Sequence, residues 1–126
     1  MSEQRESPLA PYGELLERAG GSADLLREVI VLFLEDAPTL LAAIRAGLAA
    51  GDAAATRGSA HSLKGSAANF GAPALVGLAR QMEYDAAAGN LDAAALSLAG
   101  LESELSRLSA ALSELVAQGN TGTAEP

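Results

Sequence analysis

The chain has 126 residues, 49% hydrophobic and 19% charged, a balance that fits one globular domain rather than a disordered segment. A formal net charge of −8, with only eight Lys and Arg in the whole chain, argues against a nucleic-acid binder, which needs a basic surface to neutralise phosphates. With no Cys and one His, disulfides, thiol catalysis and Cys- or His-based metal sites are set aside.

The apolar material is mostly Ala and Leu, with two Phe, two Tyr and no Trp, which predicts an all-α fold of close-packed helices. Residues 1–8 read as a flexible polar tail, 9–118 as the helical domain and 119–126 as a flexible Gly-containing tail. The start, MSEQRESPL, lacks the basic flank and apolar run of a signal peptide, and no stretch approaches the roughly 18 apolar residues of a membrane span, so a cytoplasmic protein without a membrane segment is expected. A short helix is predicted from about Pro11 to Ala19, stopped by Gly20-Gly21. Ser22 is a good N-cap for a long helix from Asp24 to Gly51, whose apolar residues include Leu25, Leu26, Val29, Ile30, Leu32, Phe33, Ile44 and Leu48. Pro38 lies inside it and is expected to kink rather than end it.

Two junctions, LAAGD at 48–52 and AAAGN at 86–90, each put Gly at a helix end and Asp or Asn at the next N-cap. Between them, Gly71-Ala72-Pro73 separates a helix over Asp52 to Phe70 from one over Pro73 to about Ala88. A last helix is predicted from about Leu91 to Val116, where Leu98, Leu101, Leu105, Leu108, Leu112 and Leu115 form a continuous seam. Four substantial helices with very short connections predict an antiparallel up-and-down four-helix bundle, with the short additional N-terminal helix as a cap. That bundle closes within one chain, so a monomer is expected.

His61 and Lys64 are the only histidine and the only lysine, and they stand three residues apart in RGSAHSLKGS, residues 57–66. At about 100° per residue, Leu63, Ala67 and Phe70 form one side of the third helix and His61 points roughly 200° away from them. Around His61, at helical steps of three and four, stand Arg57, Gly58, Lys64 and Gly65, with Ala54 and Ala68 a turn further out. Each interior Gly costs a helix roughly 1 kcal/mol relative to Ala, so two beside one histidine need a compensating reason. One reason is close approach of another body: bare backbone leaves the ring as the highest point, and Arg57 and Lys64 can hold an anion arriving there. A neutral imidazole nitrogen is a competent nucleophile near neutral pH once the other nitrogen donates to an acceptor. Spacing alone leaves two other readings open, a solvated helix face for His61 and Lys64 and tight helix packing for Gly58 and Gly65.

The stretch AHSLKGSAANFGAPAL, residues 60–75, resembles the signature of histidine-containing phosphotransfer (HPt) domains, with His, Lys three on, Gly four on, a small residue after it and Gly ten on. The stretches VIVLFLEDAPTLLAAIRAGLAAGD and LARQME are similar to that family's flanking helices. The resemblance implies that His61 is phosphorylated, Lys64 is the cation near the phosphoryl group, Gly65 is the gap admitting the partner, and Glu83 hydrogen-bonds the imidazole. Phe33 resembles a position near the docking surface, with a plain core Phe as the other reading, and Ser66 matches a small-residue position whose default role is packing. The implied partners are receiver domains of response regulators and hybrid histidine kinases, which hold Mg²⁺ themselves, so no cofactor and no metal are expected on this chain. No GxxxxGK loop or kinase glycine-rich pattern is present, in keeping with a phosphocarrier without autokinase activity. The competing readings are a histidine-kinase dimerisation domain, which neither the helix count nor the length fits; a silent receiver-binding bundle, which has no need of His61; and a hydrolase, for which no triad spacing is present.

Overall fold

A computed structural model of the chain describes residues 7–124, with side chains described as far as Gln118. All of its regular structure is helical: α1 (Tyr12–Arg18), α2 (Ala23–Ala50), α3 (Ala53–Ala68), α4 (Pro73–Ala87), α5 (Leu91–Leu96) and α6 (Leu98–Ala124). Three of the starts are set by the side chains expected there. Ser22 accepts from the Leu25 amide at 3.0 Å, Asp52 from that of Ala55 at 3.0 Å and Asn90 from that of Ala93 at 3.1 Å. Each such cap stabilises its helix by about 1 kcal/mol by satisfying an amide that the helix leaves unbonded. Gly51, Gly71 and Gly89 take positive φ at the turns between helices, where an L side chain would be strained.

α2 continues through Pro38, which is exposed, to Ala50. The single last helix expected from Leu91 is instead interrupted at Ser97. There the Ser97 amide bonds back three residues to the Ala94 carbonyl, tightening the turn before α6 starts. α6 then runs beyond Val116 to Ala124, through part of the expected C-terminal tail. The other tail residues, 1–6 and 125–126, lie outside the described residues.

α3 packs against α2 and α4, and α6 packs against the same two helices, with α5 chiefly against α4. The side of α3 expected to face inward does so: Leu63, Ala67 and Phe70 are buried, as is the α6 seam from Leu101 to Leu112. Gly47 of α2 stands close against α3. A Cβ there would stand 2.6 Å from Thr56 Oγ1 and 3.1 Å from the Thr56 amide nitrogen of α3. α1 closes one end of the core with buried Leu15. Arg18 of α1 donates to the Ala68 and Asn69 carbonyls at 2.8 and 3.2 Å, and the Ala10 amide donates to the Phe70 carbonyl at 2.8 Å, so the N-terminal segment ties down the last turn of α3. Among the described residues no helix is long and apolar enough to cross a membrane.

Candidate functional site

The core stripe of α3 turns His61 outward, where its side chain is 66% exposed. α4 runs antiparallel beside it, because Glu83 meets His61 while Ala86 and Ala87 line a hollow with Ala53, Ala54 and Arg57 near the start of α3. Met82 and Ala86 of α4 are buried in the core, and the same helical phase aims Glu83 at the α3 surface.

Glu83 Oε2 lies 2.8 Å from His61 Nδ1, and Glu83 Oε1 lies 2.7 Å from Lys64 Nζ. Oε1 is shielded from solvent, and the ammonium meets it in ion-pair geometry rather than along a well-aligned hydrogen bond. The Lys64 ammonium is the main reason that the Glu83 carboxyl titrates below its ordinary value; partial burial pushes the other way, and the bond from His61 adds to the lowering. An ionised carboxylate only accepts, so Nδ1 is the donor. In the neutral ring Nε2 then carries the lone pair, and it belongs to a largely exposed side chain. The arrangement is a nucleophilic nitrogen with its tautomer set from behind.

The surroundings separate the readings that spacing left open for the glycines. A Cβ built on Gly58 or on Gly65 meets nothing within 4 Å, so neither is a packing glycine. Ala68 is exposed one turn beyond Gly65, and Arg57 is exposed one turn before His61 with no ion pair or hydrogen bond among the described residues. Lys64 is only 26% exposed and is turned to Glu83. Ser66 is partly buried and lines a cleft with Asn69 and Phe70 of the α3 end and Val29, Leu32 and Asp36 of α2.

Of the two readings of Phe33, its burial fits the core one. It is 4% exposed, and its ring packs edge-on against Phe70 with centroids 5.2 Å apart, so it belongs to the core, and it also lines that cleft. The apolar surface of α2 is made instead by Leu25, 46% exposed, and Leu32, 58% exposed, with Val29 partly exposed between them. They keep the i, i+4, i+7 spacing of one helix face, a phase distinct from buried Leu26, Ile30, Phe33 and Ala37.

An exposed histidine on a helical bundle, braced by a carboxylate of the next helix, is the constellation of a phosphotransfer domain. The sequence model of the Hpt domain matches residues 28–111, and the chain belongs to that family, the histidine phosphotransfer domains of phosphorelays. Among solved structures, the histidine-containing phosphotransfer protein B (HptB) of Pseudomonas aeruginosa PAO1 is similar at a TM-score of 0.81 and 27% identity, over 90% of this chain and 98% of that one. The HPT domain of an Hpt sensor hybrid histidine kinase from Shewanella shares the fold at a TM-score of 0.78 and 19% identity, over 90% and 97% of the two chains. No curated protein sequence matches this chain.

Proposed function

We propose that this chain is a phosphocarrier that accepts a phosphoryl group on His61 from the aspartate of one receiver domain and passes it to the aspartate of another. The observation that carries the reading is the 2.8 Å contact between His61 Nδ1 and Glu83 Oε2, which leaves Nε2 as the free nucleophile. The Nε2 lone pair attacks phosphorus; the N–P bond forms as the P–O bond to the aspartate breaks, and its electron pair leaves on the aspartate carboxylate. Nδ1 keeps its proton throughout. The ring thus becomes cationic as it is phosphorylated, and the ionised Glu83 carboxylate faces that charge. Onward transfer is the reverse sequence to a second aspartate.

The partner supplies the remaining parts: the acidic pocket, its Mg²⁺ and the phosphorylatable aspartate. This chain contributes a histidine, a positioning carboxylate and a surface to dock on, with no cofactor of its own and no autokinase activity. Docking uses the bare backbone at Gly58 and Gly65, the small Ala68 and the exposed apolar face of Leu25, Val29 and Leu32. With a net charge of −8 the body of the protein does not attract an acidic receiver pocket, so apolar contact must carry the affinity. The frame for this site is an antiparallel up-and-down four-helix bundle formed by α2, α3, α4 and α5–α6, acting as a monomer in the cytoplasm. Incubation with a phosphorylated receiver domain and Mg²⁺ tests the reading. Acid-labile, base-stable phosphate is expected on the wild type and absent from His61→Ala, and phosphate on Ser62 or Ser66 would overturn it.

A further inference from the structure

We propose that Arg57, rather than Lys64, is the cation that meets the phosphoryl group on His61, and that Lys64 acts at one remove by holding Glu83. The inference rests on the reading of His61 as the phosphorylated residue. Lys64 is already committed: its ammonium lies 2.7 Å from Glu83 Oε1, an oxygen shielded from solvent. Moving that ammonium onto a phosphoryl group would leave a buried carboxylate oxygen without its partner, which is costly.

Helix geometry points the histidine the other way. In an α-helix the Cα–Cβ bond tilts toward the N-terminus, so a side chain covers the turn before its own residue. For His61 that turn carries Arg57 and Gly58. Gly58 has open space where a Cβ would stand, which is room for the oxygens of a phosphoryl group on Nε2. Arg57, four residues before His61, is exposed, lines the hollow beside Ala53 and Ala54, and has no partner among the described residues; its long side chain can turn back over Gly58, where the guanidinium can take two phosphoryl oxygens at once. The other cations nearby are less well placed. Arg80 sits on α4 one turn before Glu83, and since α4 is antiparallel to α3 this is toward the C-terminal end of α3, behind the lean of the ring. Arg18 is held by Glu14 and by the Ala68 and Asn69 carbonyls.

Phosphoramidate, a small donor to histidine nitrogen, isolates this chemistry from docking: the Nε2–P bond forms, the P–N bond of the donor breaks and ammonia leaves. The intact protein, Arg57→Gln, Arg57→Lys and Lys64→Gln are phosphorylated with it and followed by ³¹P NMR against pH, with the His61 tautomer read by ¹⁵N shifts. Arg57→Gln is expected to raise the last ionisation of the phosphoryl group by about half a unit or more, because a nearby cation favours the dianion. Its phosphorylation should slow by about fivefold, a modest figure suited to an exposed cation, with the tautomer unchanged and Arg57→Lys recovering most of both effects. Lys64→Gln should instead disturb the tautomer and leave the phosphoryl ionisation close to that of the wild type. If Arg57→Gln matches the wild type in rate and ³¹P titration, or Lys64→Gln produces the ³¹P shift in its place, the assignment is wrong while the phosphocarrier reading stands. Failure of the wild type to take phosphate on His61 would remove that reading and this inference together.

Discussion

Glu83 and His61, on neighbouring antiparallel helices, are joined by a 2.8 Å contact to Nδ1, and the second oxygen of the same carboxylate is taken by Lys64 at 2.7 Å. One side chain therefore links the imidazole to the lysine of the same helix, so a change in the charge of Glu83 is felt by both.

Replacing that carboxylate should separate its two roles. Glu83→Gln keeps an acceptor for Nδ1–H and should retain the tautomer, whereas Glu83→Ala loses it. Transfer from a phosphorylated receiver should fall by about tenfold in Glu83→Ala, the loss of one charge-assisted hydrogen bond worth about 1.5 kcal/mol, and by less in Glu83→Gln. Equal rates in all three proteins would show that the contact does not matter to transfer.

The same carboxylate gives a pH dependence of known sign. Its pKa is lowered in the folded chain, chiefly by Lys64, so the folded state binds the proton less tightly than the unfolded state does. The stabilisation is thus present above the ordinary carboxylate value of 4.5 and is lost as pH falls through the lower folded value. Acid unfolding of Glu83→Gln should be shallower over that window than that of the wild type, and coincident curves would contradict the lowering.

Two helical glycines should respond oppositely to the same substitution. Gly65 has open space around a new Cβ, so Gly65→Ala should gain up to roughly 1 kcal/mol of stability from helix propensity. Gly47→Ala would drive a methyl to 2.6 Å from Thr56 Oγ1 and 3.1 Å from its backbone nitrogen, and should lose about 1–3 kcal/mol. Thermal unfolding of the two variants checks both signs.

Gly65 also tests docking. Gly65→Gln is tolerated by an exposed helix yet stands one turn from His61, and a misplacement of about 1 Å at the reacting atoms costs on the order of a hundredfold. The thermal midpoint should stay level or rise while transfer from a receiver falls at least about tenfold. A folded variant with normal transfer would remove Gly65 from the docking surface.

The elements and the orientation of His61 were legible because they depend on local rules. Ser22, Asp52 and Asn90 announce helix starts, and the spacing of Leu63, Ala67 and Phe70 forces His61 outward. Pairings across helices were less accessible, since no local pattern records them. Glu83 came into view only through family resemblance, and its grip on Lys64 not at all. Likewise, Phe33 and Leu32 are adjacent and similarly apolar, but only their phase against Leu26 and Ile30 separates the buried one from the exposed one. The break at Ser97 leaves no mark, because the leucine seam runs straight on from Leu98.

The most direct test of the account is which ring nitrogen carries phosphorus. Protein labelled with ¹⁵N-histidine has a single imidazole to observe, so its spectrum before and after phosphorylation can be read without assignment by mutation. The geometry predicts an Nδ1–H tautomer at rest and ¹⁵N–³¹P coupling to Nε2, with Nδ1 still protonated, in the phosphorylated form. A resting Nε2–H tautomer, or phosphorus coupled to Nδ1, would contradict the role given to Glu83 and with it the proposed site.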